Sequence, residues 1–179
     1  MSDFFEPVVG FRVWYALDRP WHHPRTYHGT LRSVGGACVW TAGTVTAHCS
    51  NGLQHDAPAL DCTCGVYAYD RLETARLYEE SFDERFQGVL VMGAVLLWGR
   101  VTYAEVVERY SRRLAGMHLG LRLRAQHARI LALRDDGEPS GPASRLYRIP
   151  AVPERYLEAV AREHGRQLRI PAPGISRRS

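Results

Sequence analysis

The run Val89 to Trp98 (VLVMGAVLLW) is the most hydrophobic stretch of the chain and lies between Arg85 and Arg100. A helix that crosses a bilayer needs about 20 apolar residues, so this run is too short to do so. Gly88, Gly93 and Gly99 punctuate it, and glycine at such positions suits close packing of one backbone against another. The run is expected to be a buried central strand or strand pair, around which a sheet must be built. The glycines lack the G-x-G-x-x-G spacing of a dinucleotide loop, so close packing is the reading for all three.

The sheet finds its other members upstream. Val8 to Leu17 is rich in β-branched and aromatic residues, with Phe11, Val13 and Tyr15 alternating with Arg12 and Trp14 as in a strand. Tyr27 to Val34, Ala37 to Trp40 and Thr44 to Cys49 read as short strands separated by Gly35-Gly36 and Ala42-Gly43, an antiparallel meander. Asp18 to Pro24 carries two prolines and reads as a loop, with His22 and His23 on its surface.

Helical spacing appears twice. Ala68, Leu72, Ala75, Tyr78 and Phe82 predict a helix over Val66 to Phe82, and Pro153 to His164 predicts a second, with proline at its first position and Gly165 to stop it. Between them, Glu105 to Arg113 leans to a helix through the i,i+4 pairs Glu105/Arg109 and Glu108/Arg112. Leu119, Leu121 and Leu123 alternate like a half-buried strand, and Ile130 to Leu133 with Arg145 to Ile149 suggest a hairpin around the polar loop Asp135 to Pro142. The expected fold is α+β: a single domain over residues 1–170 with a mainly antiparallel sheet, two or three helices and a cysteine-rich loop, followed by a disordered tail over 171–179. A chain of 179 residues can bury about 70% of its unfolded surface, so it needs no staple to fold.

Composition removes several chemistries. All 23 basic residues are arginine, which rules out a Schiff-base lysine, a lysine general base and a phosphate loop of the usual lysine-bearing kind. The net charge of +4 is modest, but Arg109, Arg112, Arg113, Arg122 and Arg124, with Tyr103 and Tyr110 nearby, form a basic cluster that can grip phosphates of a nucleic acid. Ser2 to Pro7 has neither the basic region nor the apolar core of a signal peptide, so the cytoplasm is the expected compartment and reduced thiols the expected state.

Those thiols carry the only specific chemical signal. Cys49, His55, Cys62 and Cys64 follow the spacing C-x5-H-x6-C-x-C, which supplies the four donors of a closed tetrahedral zinc site. Asn51-Gly52 offers a turn back toward Cys49, and His48 is the substitute for His55. A C-x-C pair is less usual than C-x2-C, so two other readings stay open: thiols that hold no ligand, and a reactive thiol. In the latter, Cys62 or Cys64 at the start of a helix would be a nucleophile or redox partner, with His55 as base and Asp56 as orienting acid. Cys38, beside Val39 and Trp40, reads as a small buried hydrophobe. No serine elbow, H-E-x-x-H or phosphate loop is present, so no pattern points to an enzyme.

The segments GFRVW (Gly10 to Trp14), W-x2-G-x3-A-x-C (Trp40 to Cys49), H-x-A-P-x3-C-x-C-G-V-Y-A (His55 to Ala68) and LWGRV (Leu97 to Val101) together resemble a group of short uncharacterised bacterial proteins that share C-x-C-G-[IV]-Y-A and L-W-G segments. The resemblance implies that the cysteine stretch belongs to a module. Beyond Val101 the chain departs from the glycine- and aromatic-rich hairpin of that group. The functional expectation is a cytoplasmic binding or adaptor module with a structural zinc site and another protein as partner; the alternatives are a thiol-dependent enzyme or redox protein and arginine-mediated nucleic-acid binding.

Overall fold

A computed structural model describes residues 7–16, 30–34, 38–49, 52, 54–59, 61–82, 89–107, 118–135 and 140–164. Among these are eight strands and three helices in the order β1 (Val8–Ala16), β2 (Leu31–Ser33), β3 (Val39–Trp40), β4 (Thr44–Thr46), β5 (Val66–Tyr69), α1 (Leu72–Glu80), β6 (Val89–Val107), β7 (His118–Arg134), α2 (Ser140–Tyr147), β8 (Ala151–Val152) and α3 (Glu154–His164). All strand pairs are antiparallel except β7 with β8. The fold is α+β, with a mostly antiparallel sheet and a cysteine-rich loop, as the sequence predicts.

The hydrophobic run begins β6, which continues for 19 residues. Register shifts near Ala94, between Trp98 and Val101, and near Val107 mark where β6 departs from a regular ladder with β7. Bulges of this kind bend a strand and increase its twist. The bending lets the pairings form a circuit: β1 pairs with β6, β6 with β7, β7 with β5, and β5 returns to β1 through Phe11 and Tyr69. Trp14, Val66, Ala68, Val91, Val95, Leu97, Leu123, Ala125 and Ile130 fill one face of this circuit. Phe11, Val13, Met92, Ala94 and Leu131 lie on the other, under Leu72 and Ala75 of α1 and Leu157 and Ala161 of α3. Both faces of β6 are thus covered, which is why its sequence shows no polar alternation. Each fully buried aliphatic side chain contributes roughly 1.5–3 kcal/mol.

Gly93 is required by this packing. A Cβ on it would run into the carbonyl oxygen of Ala132 and stand 3.1 Å from the Cα of Leu133, so the close-packing reading holds there. Trp14 meets Trp40 edge-to-face at 5.4 Å, and the Tyr147 hydroxyl ties α2 to the edge strands by accepting from Leu31 N at 2.8 Å and donating to the Trp40 carbonyl. Arg134 joins the layers: it forks onto Glu79 of α1 at 2.7 and 2.8 Å and reaches Glu154 of α3 at 3.1 Å.

Several expectations are corrected. The helix predicted from Val66 starts at Leu72; Val66 to Tyr69 are extended as β5, because Val66 and Ala68 turn into the core opposite Ala125 and Leu123. Glu105 to Val107 end β6 rather than open a helix, since Glu105 pairs with Leu121; the rest of that predicted helix lies outside the described residues. Arg145 to Tyr147 belong to α2, whose Ala143 and Tyr147 are buried one turn apart, so the predicted hairpin with Ile130 to Leu133 does not form. Cys38 is exposed, not buried, and β4 leaves the meander of β1, β2 and β3 to pair with β7. The first strand and the last helix appear as predicted, the latter with Pro153 just before it accepting from Tyr156 N at 2.8 Å. The loop with His22 and His23, Gly88 and the 171–179 tail lie outside the described residues. No helix among the described residues is long and apolar enough to cross a membrane.

Candidate metal centre

Strand β7 sets the position of the cysteine loop. Thr46, the end of β4, pairs with His127, Ala47 N donates to Gln126 O at 2.7 Å, and Val66, the start of β5, pairs with Ala125. The chain therefore leaves β7 and returns to it at neighbouring residues. Cys49 lies just past the exit and Cys62 and Cys64 just before the re-entry, so the register of two short strands brings distant thiols together. Closing a loop of this length carries an entropic cost that must be offset by contacts at its base.

Among the described residues those contacts are specific. Arg124 of β7, buried to 7% exposure, donates from Nη1 to the Cys62 carbonyl and lies 3.5 Å from the Cys64 carbonyl. Cys62 N donates to Ala59 O at 3.4 Å, and the Tyr67 hydroxyl donates to the Thr63 carbonyl. Gly65 adopts φ +128, open to glycine, and a Cβ there would press on Arg124 and Pro58 at 3.2 Å. Among the described residues, the loop gathers a small apolar cluster of Ala57, Cys62 and Cys64, with Ala47, Cys49 and Ala59 against it.

The donor atoms of Cys49, His55, Cys62 and Cys64 all lie within 4.8 Å of one another, so these residues are placed to bind a metal ion. Cys49 Sγ and Cys62 Sγ stand 3.7 Å apart, and Cys64 Sγ is 4.0 Å from His55 Nδ1. In a tetrahedron with metal–sulfur bonds of about 2.3 Å, two sulfurs are separated by about 3.8 Å. A disulfide would need about 2.05 Å, and none of the four cysteines is in a disulfide. His55 Nδ1 is 3.1 Å from the Asp56 carbonyl, while Nε2 is buried with no hydrogen-bond partner. A proton on Nδ1, donated to that carbonyl, leaves the lone pair on Nε2, and this is the arrangement by which a carbonyl fixes the tautomer of a ligating histidine.

Electrostatics differ along the C-x-C pair. The backbone N–H of Cys64, followed by His55 and Cys49, lowers the Cys62 thiol to about 6, whereas burial raises that of Cys64. The hydrogen bond to the Asp56 carbonyl raises His55. The pair does not stand at the start of a helix as the sequence suggests: α1 starts only at Leu72, and strand β5 intervenes. Asp56 is exposed and meets His55 through its carbonyl, so its carboxylate is not an orienting acid; His48 is exposed and outside the donor cluster.

Of the expected arginine cluster, Arg122 and Arg124 are among the described residues. Arg124 is buried beneath the loop, so it is not a surface phosphate contact, while Arg122 is exposed with its guanidinium 5.1 Å from the Tyr67 ring. Tyr103 is half-buried and packs on the core, and Arg109, Tyr110, Arg112 and Arg113 lie outside the described residues. The anchoring role of Arg124 has a faint sequence signal: it sits between the buried Leu123 and Ala125, on the opposite side of the strand. Beside the loop, Asp56, Ala57, Gly99, Arg100 and Gln126 line a shallow cleft of about 160 Å3. Comparison of the chain with protein-family models, with curated proteins and with solved structures gives no match.

Proposed function

We propose that Cys49, His55, Cys62 and Cys64 hold a structural zinc ion and that the chain is a binding or adaptor module for another protein. The mutual approach of four protein donors within 4.8 Å carries this reading. Three thiols and an imidazole favour a borderline or soft ion over calcium or magnesium, which prefer oxygen. Four protein ligands fill a tetrahedron, leaving no position for substrate, which separates a structural site from a catalytic one. Thiols that bind metal in reduced form fit the cytoplasm. Protein purified without added metal is expected to carry about one equivalent of zinc, and Cys64→Ser to lose it. Less than about a tenth of an equivalent, unchanged by reductant, overturns the assignment.

The 3.7 Å approach of Cys49 to Cys62 favours one second reading, a thiol–disulfide role. Cys62 thiolate would attack a partner disulfide and expel one thiolate; Cys49 would then displace the second, leaving a Cys49–Cys62 disulfide and a reduced partner. Rapid alkylation of one of these cysteines in the native protein supports it. Labelling that starts only after chelation excludes it.

A further inference from the structure

Two arginines are buried among the described residues, Arg12 and Arg124, each 7% exposed. Arginine stays protonated in proteins, so each must find compensation for a charge removed from water. Arg12 finds it on ring faces: its guanidinium lies 5.5 Å from the Trp40 ring and 6.0 Å from that of Trp14. It also donates to Ser33 Oγ at 2.6 Å and to the Tyr67 carbonyl. Among the described residues, Arg124 has no such platform. Among the described residues, cation–ring contacts belong to Arg12, Arg122 and Arg155, and ion pairs to Arg71, Arg76 and Arg134.

What Arg124 does touch is the backbone of the metal loop, through the carbonyls of Cys62 and Cys64. Carbonyl dipoles satisfy N–H groups but supply no net charge. A divalent ion held by three thiolates and one neutral imidazole supplies it: such a centre carries one negative charge. Four thiolates would leave two negative charges, and two thiolates with two imidazoles none. A single buried guanidinium matches the three-cysteine, one-histidine set of this loop.

The position is also rigid. Arg124 pairs with Tyr67 of β5 on one side and Thr102 of β6 on the other, so its Cα is fixed by two ladders. Arg122, two residues away on the same side of the strand, remains exposed over Tyr67, so of these two β7 arginines the one under the cysteines is the buried one.

We propose that Arg124 is the counter-ion of an anionic thiolate–metal centre: a positioning residue that fixes the Cys62 and Cys64 carbonyls and balances the charge of the loaded site. The proposal rests on the metal reading above. The test is titration of the reduced, metal-free protein with Zn2+ against a competing chelator, and with Co2+ monitored by its visible and thiolate charge-transfer bands, for the wild type, Arg124→Gln and Arg124→Lys. Glutamine keeps an N–H donor without the charge; lysine keeps the charge without the fork. Arg124→Gln is expected to weaken metal binding about a hundredfold and Arg124→Lys by less than about tenfold, with the Co2+ bands unchanged because the ligands are the same. Equal losses in the two variants, or no loss in Arg124→Gln, overturn the counter-ion role and leave the metal site standing. Should Arg124→Gln fail to fold, Arg124→Lys alone decides, and a loss of a hundredfold or more there overturns the proposal. If the wild type binds neither ion, the metal reading fails first and removes the counter-ion with it.

Discussion

The strand circuit and the cysteine loop meet along β7, yet they are held by different physics. The circuit buries Trp14, Val95, Leu97, Leu123 and Ile130 on one face and Phe11, Met92 and Leu131 on the other, and it is stabilised by area removed from water. Among the described residues, the loop between β4 and β5 buries a small cluster of alanines and cysteines together with Pro58. This described apolar cluster is small beside the cost of ordering the backbone around it. What the loop has instead is donor chemistry: thiols, an imidazole with an unpartnered nitrogen, and a guanidinium gripping its carbonyls. One strand, β7, can serve both regions because its two sides are independent, with Leu123 and Ala125 turned into the circuit and Arg124 turned to the loop.

The sharpest way to break this contrast is to remove the metal. With free metal at about a thousandfold above the dissociation constant, binding stabilises the folded state by about 4 kcal/mol, and a chelator should abolish that stabilisation. Hydrogen exchange should show the change in the loop over residues 47–65, with the amides of β6 and β7 still protected. Loss of protection throughout would show that the circuit depends on the loop.

The converse experiment is Leu97→Ala, which opens a cavity in the fully buried core and should cost about 3 kcal/mol in the metal-loaded and chelated protein alike. A cost that differs between the two states by more than about 1 kcal/mol would couple the regions that the fold keeps apart.

The smallest effect concerns Asp70, where β5 hands over to α1. Burial raises its carboxyl above the usual range, partly opposed by the hydrogen bond it accepts from Leu121 N at 2.8 Å. Because the folded pKa lies above the unfolded one, its contribution to stability is complete below about pH 4 and is lost as pH rises through the folded value. Asp70→Asn should flatten that segment of the stability profile without moving metal content. An unchanged profile would place the titration elsewhere.

How much of this was legible follows from where neighbours decide conformation. The run Val89 to Trp98 was readable because a strand covered on both faces is apolar throughout, and Pro153 to His164 because an end helix carries its own signals. Val66 to Tyr69 was misread since Ala68, Leu72 and Ala75 keep helical spacing across a junction between strand and helix. Arg145 to Tyr147 is too short to show a period. At the site, the four candidate ligands were legible by residue type and spacing. Arg124 was not, because the loop that buries it is distant in sequence, and the acidity of Cys62 comes from the Cys64 N–H, which spacing alone does not reveal.

The exit and re-entry of the loop at adjacent residues of β7 give the metal a further meaning. A slip of β4 along β7 by one residue moves its end by about 3.3 Å and turns its side chains to the opposite face. Cys49 would then be carried away from Cys62 and Cys64. With a metal bound as proposed, coordination would act as a checksum on strand pairing: the native alignment brings the four donors together, and an ion held by them would lock in that alignment.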